Sequence, residues 1–133
     1  MRVADHEVSA ETCREIGDIL ARLGDKWTVL VMVLLSEGSQ RFSELDREIG
    51  TVSQKMLAQT LKGLERDGYV TRTLTPGVPP RVDYEMTPIG REVLPHLLAL
   101  AEWAYGRREV ITGNRQAYDM AKAGAEIAHS AAR

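Results

Sequence analysis

Between Ser53 and Met86 the hydrophobic period of the chain changes once, and that change restricts the possible folds more than any other feature. Leu57, Leu61 and Leu64 recur at helical spacing and stop at Asp67–Gly68. From Tyr69 the pattern alternates instead: Val70, Arg72 and Leu74 oppose Tyr69, Thr71 and Thr73. Pro76-Gly77-Val78-Pro79-Pro80 must be a loop, because adjacent prolines cannot sit in a central strand. A second alternating run follows, with Val82, Tyr84 and Met86 on one face and Arg81, Asp83 and Glu85 on the other. The pattern predicts a helix running directly into an antiparallel hairpin.

What precedes the helix completes the arrangement. Residues 1–10 are polar and aperiodic and read as a loose arm. Cys13, Ile16, Leu20 and Leu23 then mark one stripe of a first helix, widened by Ile19 and stopped at Gly24. Asp25 is placed to cap a second helix, Lys26 to Ser36, whose residues Val29 to Leu35 are apolar throughout. Such a helix belongs inside a core, and the run is far short of the ~20 residues needed to span a bilayer. A short helix, about Ser43 to Glu48, shows capping-box spacing at Ser43 and Asp46, with Phe42, Leu45 and Ile49 on its inner side. Gly50-Thr51-Val52 is a tight connection, and Ser53 caps the leucine helix. Two helices joined this way, followed by a hairpin, predict a winged helix-turn-helix: mainly α with a small β-hairpin.

After the hairpin, Thr87-Pro88 has the residue pair of a helix start, Thr as N-cap and Pro at the first helical position. The helix that follows has a broad apolar face through Val93, Leu94, Leu97, Leu98, Leu100, Ala101 and Ala104; Pro95 should bend it and Gly113-Asn114 should end it. The predicted organisation is an arm (1–10), one winged-helix and dimerisation domain (11–112), and an alanine-rich, helical tail (113–133).

The second helix of the motif is the candidate reader of nucleic acid. At about 100° per residue, the leucines fix the buried side, and Lys55, Gln59, Lys62 and Arg66 project oppositely. Gln54 lies in the first turn. Glutamine can pair bidentately with adenine, and lysine can reach guanine or a phosphate. Ser53 and the free N–H groups at the helix start suit a phosphate oxygen. The whole chain has 133 residues and a net charge of −2, which argues against nucleic acid. Its distribution argues the other way. Arg41 to Arg81 holds seven Lys/Arg against five Asp/Glu, or +2, whereas residues 1–25 hold three Arg against six acids, or −3. Taken alone, a charged helix face is as well explained by solvation. The hairpin adds weight, because Arg72 and Arg81 flank its ends where a wing meets backbone or minor groove.

Lys26-Trp27-Thr28, Arg41-Phe42-Ser43-Glu44-Leu45, Ser53-Gln54-Lys55-Met56-Leu57, Leu61-Lys62-Gly63-Leu64-Glu65-Arg66-Asp67-Gly68, Pro79-Pro80-Arg81-Val82-Asp83-Tyr84, Thr87-Pro88-Ile89-Gly90 and Trp103 stand in order. This series resembles the HxlR-type family of bacterial winged-helix transcription regulators, relatives of the MarR type, over about Cys13 to Trp103. The resemblance implies a homodimer that binds double-stranded operator DNA, more often as a repressor; the candidate DNA contacts are Arg41, Ser53, Gln54, Lys55, Gln59, Lys62, Arg72 and Arg81. It also implies an interface between the first and last long helices, where Ile16, Leu20, Leu97, Leu100 and Trp103 are the candidates.

Cys13, the sole cysteine, excludes an intrachain disulfide and a Cys-based zinc site. It sits on the apolar stripe and is equally a small buried hydrophobe. The resemblance adds a sensor role, since some members respond to oxidants or electrophiles through such a cysteine; proteins of the family often have Cys-Pro where this chain has Cys13-Arg14. A pocket between helices at a dimer interface would suit a small-molecule effector. His6, His96 and His129 lack metal-ligand spacing. No cofactor motif, phosphate loop or histidine partner for Cys13 supports an enzyme. The competing reading is a winged helix used for protein contacts without DNA, which predicts an apolar outer face on the reader helix. The N-terminus lacks a secretory pattern, so the expected compartment is the cytoplasm with no membrane partner.

Overall fold

The computed structural model describes residues 1–131. The elements run β1 (Arg2–Val3), β2 (His6–Glu7), α1 (Ala10–Leu23), α2 (Thr28–Leu35), β3 (Gln40–Arg41), α3 (Phe42–Ile49), α4 (Gln54–Arg66), β4 (Val70–Thr75), β5 (Arg81–Met86) and α5 (Pro88–Ala131). The chain divides into two compact units, one ending at Leu98 and one beginning at Ala99.

The first unit is built around α2 and α4. Val31, Met32 and Leu35 of α2, Leu57, Leu61 and Leu64 of α4 and Leu45 of α3 are fully buried. Val70, Tyr84 and Met86 bring the inner face of the sheet onto this cluster. The helix α2 is less enclosed than its composition suggests: Leu30 faces outward, and Val29, Val33 and Leu34 are half-buried. A helix eight residues long presents a full circumference, and the elements around it cover only part of that.

Local chemistry fixes the ends of α4. Ser53 Oγ accepts from the Met56 N–H at 3.1 Å, the expected N-cap. At the other end the Tyr69 N–H reaches Leu64 O at 2.9 Å and the Gly68 N–H reaches Glu65 O at 3.1 Å. That is a Schellman closure, and Gly68 adopts the left-handed φ of +85° that it requires. The same corner anchors the next helix. Thr87 Oγ1 donates to Gly68 O at 2.6 Å and accepts from the Gly90 N–H at 3.2 Å. Gly90 lies so close to Tyr69 O and Met86 Cγ that a Cβ would overlap both, and glycine is what allows α5 to begin against the sheet.

The sheet is three-stranded, in the order β3-β5-β4, all antiparallel. The hairpin register pairs Val70 with Met86, Arg72 with Tyr84 and Leu74 with Val82, which puts these six residues on one face. The third strand was not foreseen: Gln40 and Arg41 pair with Tyr84 and Asp83. Two residues are too few to show an alternation.

Other expectations require correction. The first ten residues are not an unstructured arm; Arg2–Val3 pairs with His6–Glu7, and Ser9 caps α1 by accepting from the Thr12 N–H. Asp25 does not cap α2 with its side chain. That helix starts after Trp27, and the Asp25 carboxylate accepts from Thr60 Oγ1 of α4 instead. Ser43 and Asp46 form no capping box, because α3 already starts at Phe42 with Arg41 in the cap position. Gly113 and Asn114 do not end α5, which continues to Ala131. Glycine in a helix costs about 1 kcal/mol relative to alanine, and the alanine-rich sequence beyond it favours the helix enough to carry it through. Pro95 lies inside α5 as read from the sequence.

Candidate nucleic-acid interface

The α3–α4 connection, Gly50 to Ser53, is held from within by Val52, which is buried. It sets α4 with its leucine stripe inward and its other side in solvent. Gln54, Lys55, Gln59, Lys62 and Arg66 are all exposed, whereas Leu57, Thr60, Leu61, Gly63 and Leu64 are buried. Neither Lys55 nor Lys62 is engaged in an ion pair among the described residues. The outer face is therefore cationic and amide-bearing, with donors and acceptors free for an external partner. The apolar outer face required of a protein-contact module is not there; Met56 is the one large apolar side chain of α4 exposed beside it.

Arg41, Arg72 and Arg81 are all exposed on the sheet. The sheet does not bring them to one place. Arg41 lies across from Asp83, and Arg81 is on the same face, two positions from Asp83. Arg72 pairs with Tyr84 and belongs to the opposite face. The two arginines on the Asp83 face are also partly neutralised. Arg81 Nε donates to Asp83 Oδ2 at 2.9 Å and Oδ1 at 3.1 Å, and Arg41 Nε stands 3.9 Å from Glu44. The hydrogen bond and charge of Asp83 hold the Arg81 guanidinium more firmly protonated than usual. The alternation already puts Asp83 on the face of Arg81, since residues i and i+2 of a strand share a face; the ion pair between them is what the structure adds.

The candidate dimer residues separate into two kinds. No residue of α1 is buried; Ile16 is half-buried and Leu20 is 60% exposed. On α5, Leu100 is exposed and Trp103 is 57% exposed. Leu97 is the correction. It is only 4% exposed and packs within the core of its own chain, so it has no surface left for a partner. Cys13 is half-buried, and its Sγ donates to Met1 Sδ at 3.6 Å. Among the described residues no group of three or more His, Cys, Asp or Glu is placed to hold a metal, and no helix is long and apolar enough to cross a membrane.

Comparison with known proteins agrees with this geometry. The family model for the HxlR-like helix-turn-helix matches residues 22–112. The uncharacterized HTH-type transcriptional regulator YtfH of Escherichia coli is 48% identical over 94 residues, covering 71% of this chain and 74% of that protein. The solved structure of ytfH from Salmonella typhimurium superposes with a TM-score of 0.68 at 41% identity, over 74% of this chain and 88% of that one. The redox regulator HypR in its reduced form gives a TM-score of 0.66 at 33% identity, over 74% and 98% of the two chains. Relatives of this kind are transcriptional regulators, a class without catalytic activity, and they share the winged-helix architecture. On its matched residues, its fold and its relatives, the chain belongs to the HxlR-like helix-turn-helix family of transcriptional regulators.

Proposed function

We propose that the protein is a homodimeric, sequence-specific DNA-binding regulator that acts as a repressor. The observation that carries this reading is the outer face of α4, where Lys55, Gln59 and Lys62 are exposed beside Gln54 while the leucine stripe is fully buried. Gln54, Lys55 and Gln59 would meet base edges, and Ser53, Lys62, Arg41, Arg72 and Arg81 the phosphate backbone. Dimerisation is supported by the uncovered apolar surface of Ile16, Ile19 and Leu20 on α1, and separately by that of Leu100 and Trp103 on α5. Two copies related by a two-fold axis would place their reader helices about one DNA turn, ~34 Å, apart. Selection from a pool of random duplexes tests this. A pseudo-palindrome with half-sites one turn apart should be enriched; a pool that returns no enriched sequence contradicts the proposal.

A second reading concerns regulation, and the relationship to a redox regulator favours it. Cys13 would be the sensor. Its sulfur would attack a peroxide oxygen, the O–O bond would break, and the products would be a sulfenic acid and water. The added polarity, on the stripe shared with Ile16 and Leu20, would weaken operator binding. Peroxide should then release the native protein from DNA and leave Cys13→Ser bound; equal release of both variants contradicts the assignment.

A further inference from the structure

The reader helix α4 and its C-cap are held to the end of α1 and the turn after it by polar side chains along one stripe, buried at Thr60 and Gly63 and exposed at Asp67. Thr60 Oγ1 donates to Asp25 Oδ2 at 3.2 Å, and Arg22 Nε donates to Asp67 Oδ2 at 3.0 Å. Between them lies Gly63, and the Arg22 guanidinium rests directly over it, in the space a Cβ would occupy. Positions 60, 63 and 67 follow one another along the helix at i, i+3 and i+7. A Cβ at 63 would overlap the guanidinium and force it to move from where it pairs with Asp67, so the glycine and the arginine fit as a pair. The rest of α1 is poorly anchored: none of its residues is buried, and Ile19 and Leu20 are open to solvent. Its attachment to the core is thus concentrated at its last turn, where Arg22 points to α4 and Leu23 packs on the core. The ion pair stands beside an open cleft of about 800 Å³ walled by Ile19, Tyr69 and Ile89, so altering it leaves no cavity in the core.

We propose that Arg22, seated on Gly63 and paired with Asp67, is a positioning residue that fixes the direction of α4 relative to α1. This inference rests on the reading of the protein as a dimeric DNA reader with α1 at the dimer axis. With α1 set by the partner protomer, the strut decides where each α4 points and so how far apart the two readers lie. Its consequence is selectivity for half-site spacing. One inserted base pair both lengthens the site and rotates one half-site about the DNA axis, and only a rigid connection between α1 and α4 resists following it.

The test compares three duplexes carrying the selected operator sequence: native spacing, one inserted base pair between half-sites, and a single half-site. Wild type should discriminate against the inserted base pair. Arg22→Ala should lose about fivefold of that discrimination while binding the single half-site as wild type does. Gly63→Ala should act likewise by displacing a chemically intact arginine, and Arg22→Lys should recover part of the loss. If both variants keep full spacing discrimination, even with a lowered melting temperature, Arg22 is a stabilising contact and the strut is wrong. If wild type shows no sequence preference on any duplex, the functional reading itself fails and the strut falls with it.

Discussion

Lys55 and Gln59 stand on the side of α4 remote from Leu57, Leu61 and Leu64, so truncating them removes no core contact. Lys55→Ala and Gln59→Ala should leave the melting temperature unchanged and weaken operator binding by about 1–3 kcal/mol wherever the side chain touches a base. The loss should differ between operator variants, which titration of a small panel of duplexes will show. Arg81 belongs to a different class. As a backbone contact, its removal should weaken all duplexes evenly and flatten the plot of log K against log salt by about one unit. Asp83→Asn should act in the opposite direction, because it takes a carboxylate from beside that guanidinium and from the path of a phosphate. Leu97 illustrates what spacing cannot decide. It shares a helical stripe with Leu100, yet it is buried within its own chain while Leu100 is exposed. Periodicity gives the apolar side of a helix but not the point along it where the domain ends and the uncovered surface begins.

Among the elements, α4 and the hairpin were legible because each carries several repeats of its own period and is bounded by capping or turn residues. The strand β3 and the amino-terminal hairpin were not, since two-residue strands are made by pairing with a distant or tightly turned partner rather than by any local pattern. The ties between α1 and α4 were equally hidden: Arg22 and Asp67 are 45 residues apart, and no pairwise rule of helix or strand connects them. Asp25 shows the same limit, for a residue with capping chemistry serves a tertiary contact instead. The corner where α4, β4 and α5 meet gives a stability prediction. Ser53→Ala removes a cap and should cost about 1 kcal/mol. Gly90→Ala forces a methyl group against Tyr69 O and Met86 and should cost more, about 1–3 kcal/mol. Urea titrations should show lowered midpoints with unchanged slopes for both, in that order.

At the scale of the whole molecule, apolar surface is left over on α1 and on α5, and a second copy is the partner that the symmetry of a DNA duplex favours. Leu20→Asp should therefore shift sedimentation from dimer to monomer at micromolar concentration with the fold kept. Leu97→Ala should instead lower folding stability by about 2–5 kcal/mol, as a cavity in a core does. The negative net charge of the chain is no obstacle to DNA binding, since the positive charge is gathered between Arg41 and Arg81 while the first 25 residues hold the acidic excess. Sequence-specific DNA recognition by a dimer remains the claim on which the rest depends. It is tested most directly by measuring affinity, over a series of salt concentrations, for DNA from upstream of the protein's own gene and for unrelated DNA of equal length. Binding to the upstream fragment should be tighter at every salt concentration, with both affinities falling linearly in log K against log salt. Equal affinity for the two fragments, or an affinity indifferent to salt, would contradict it.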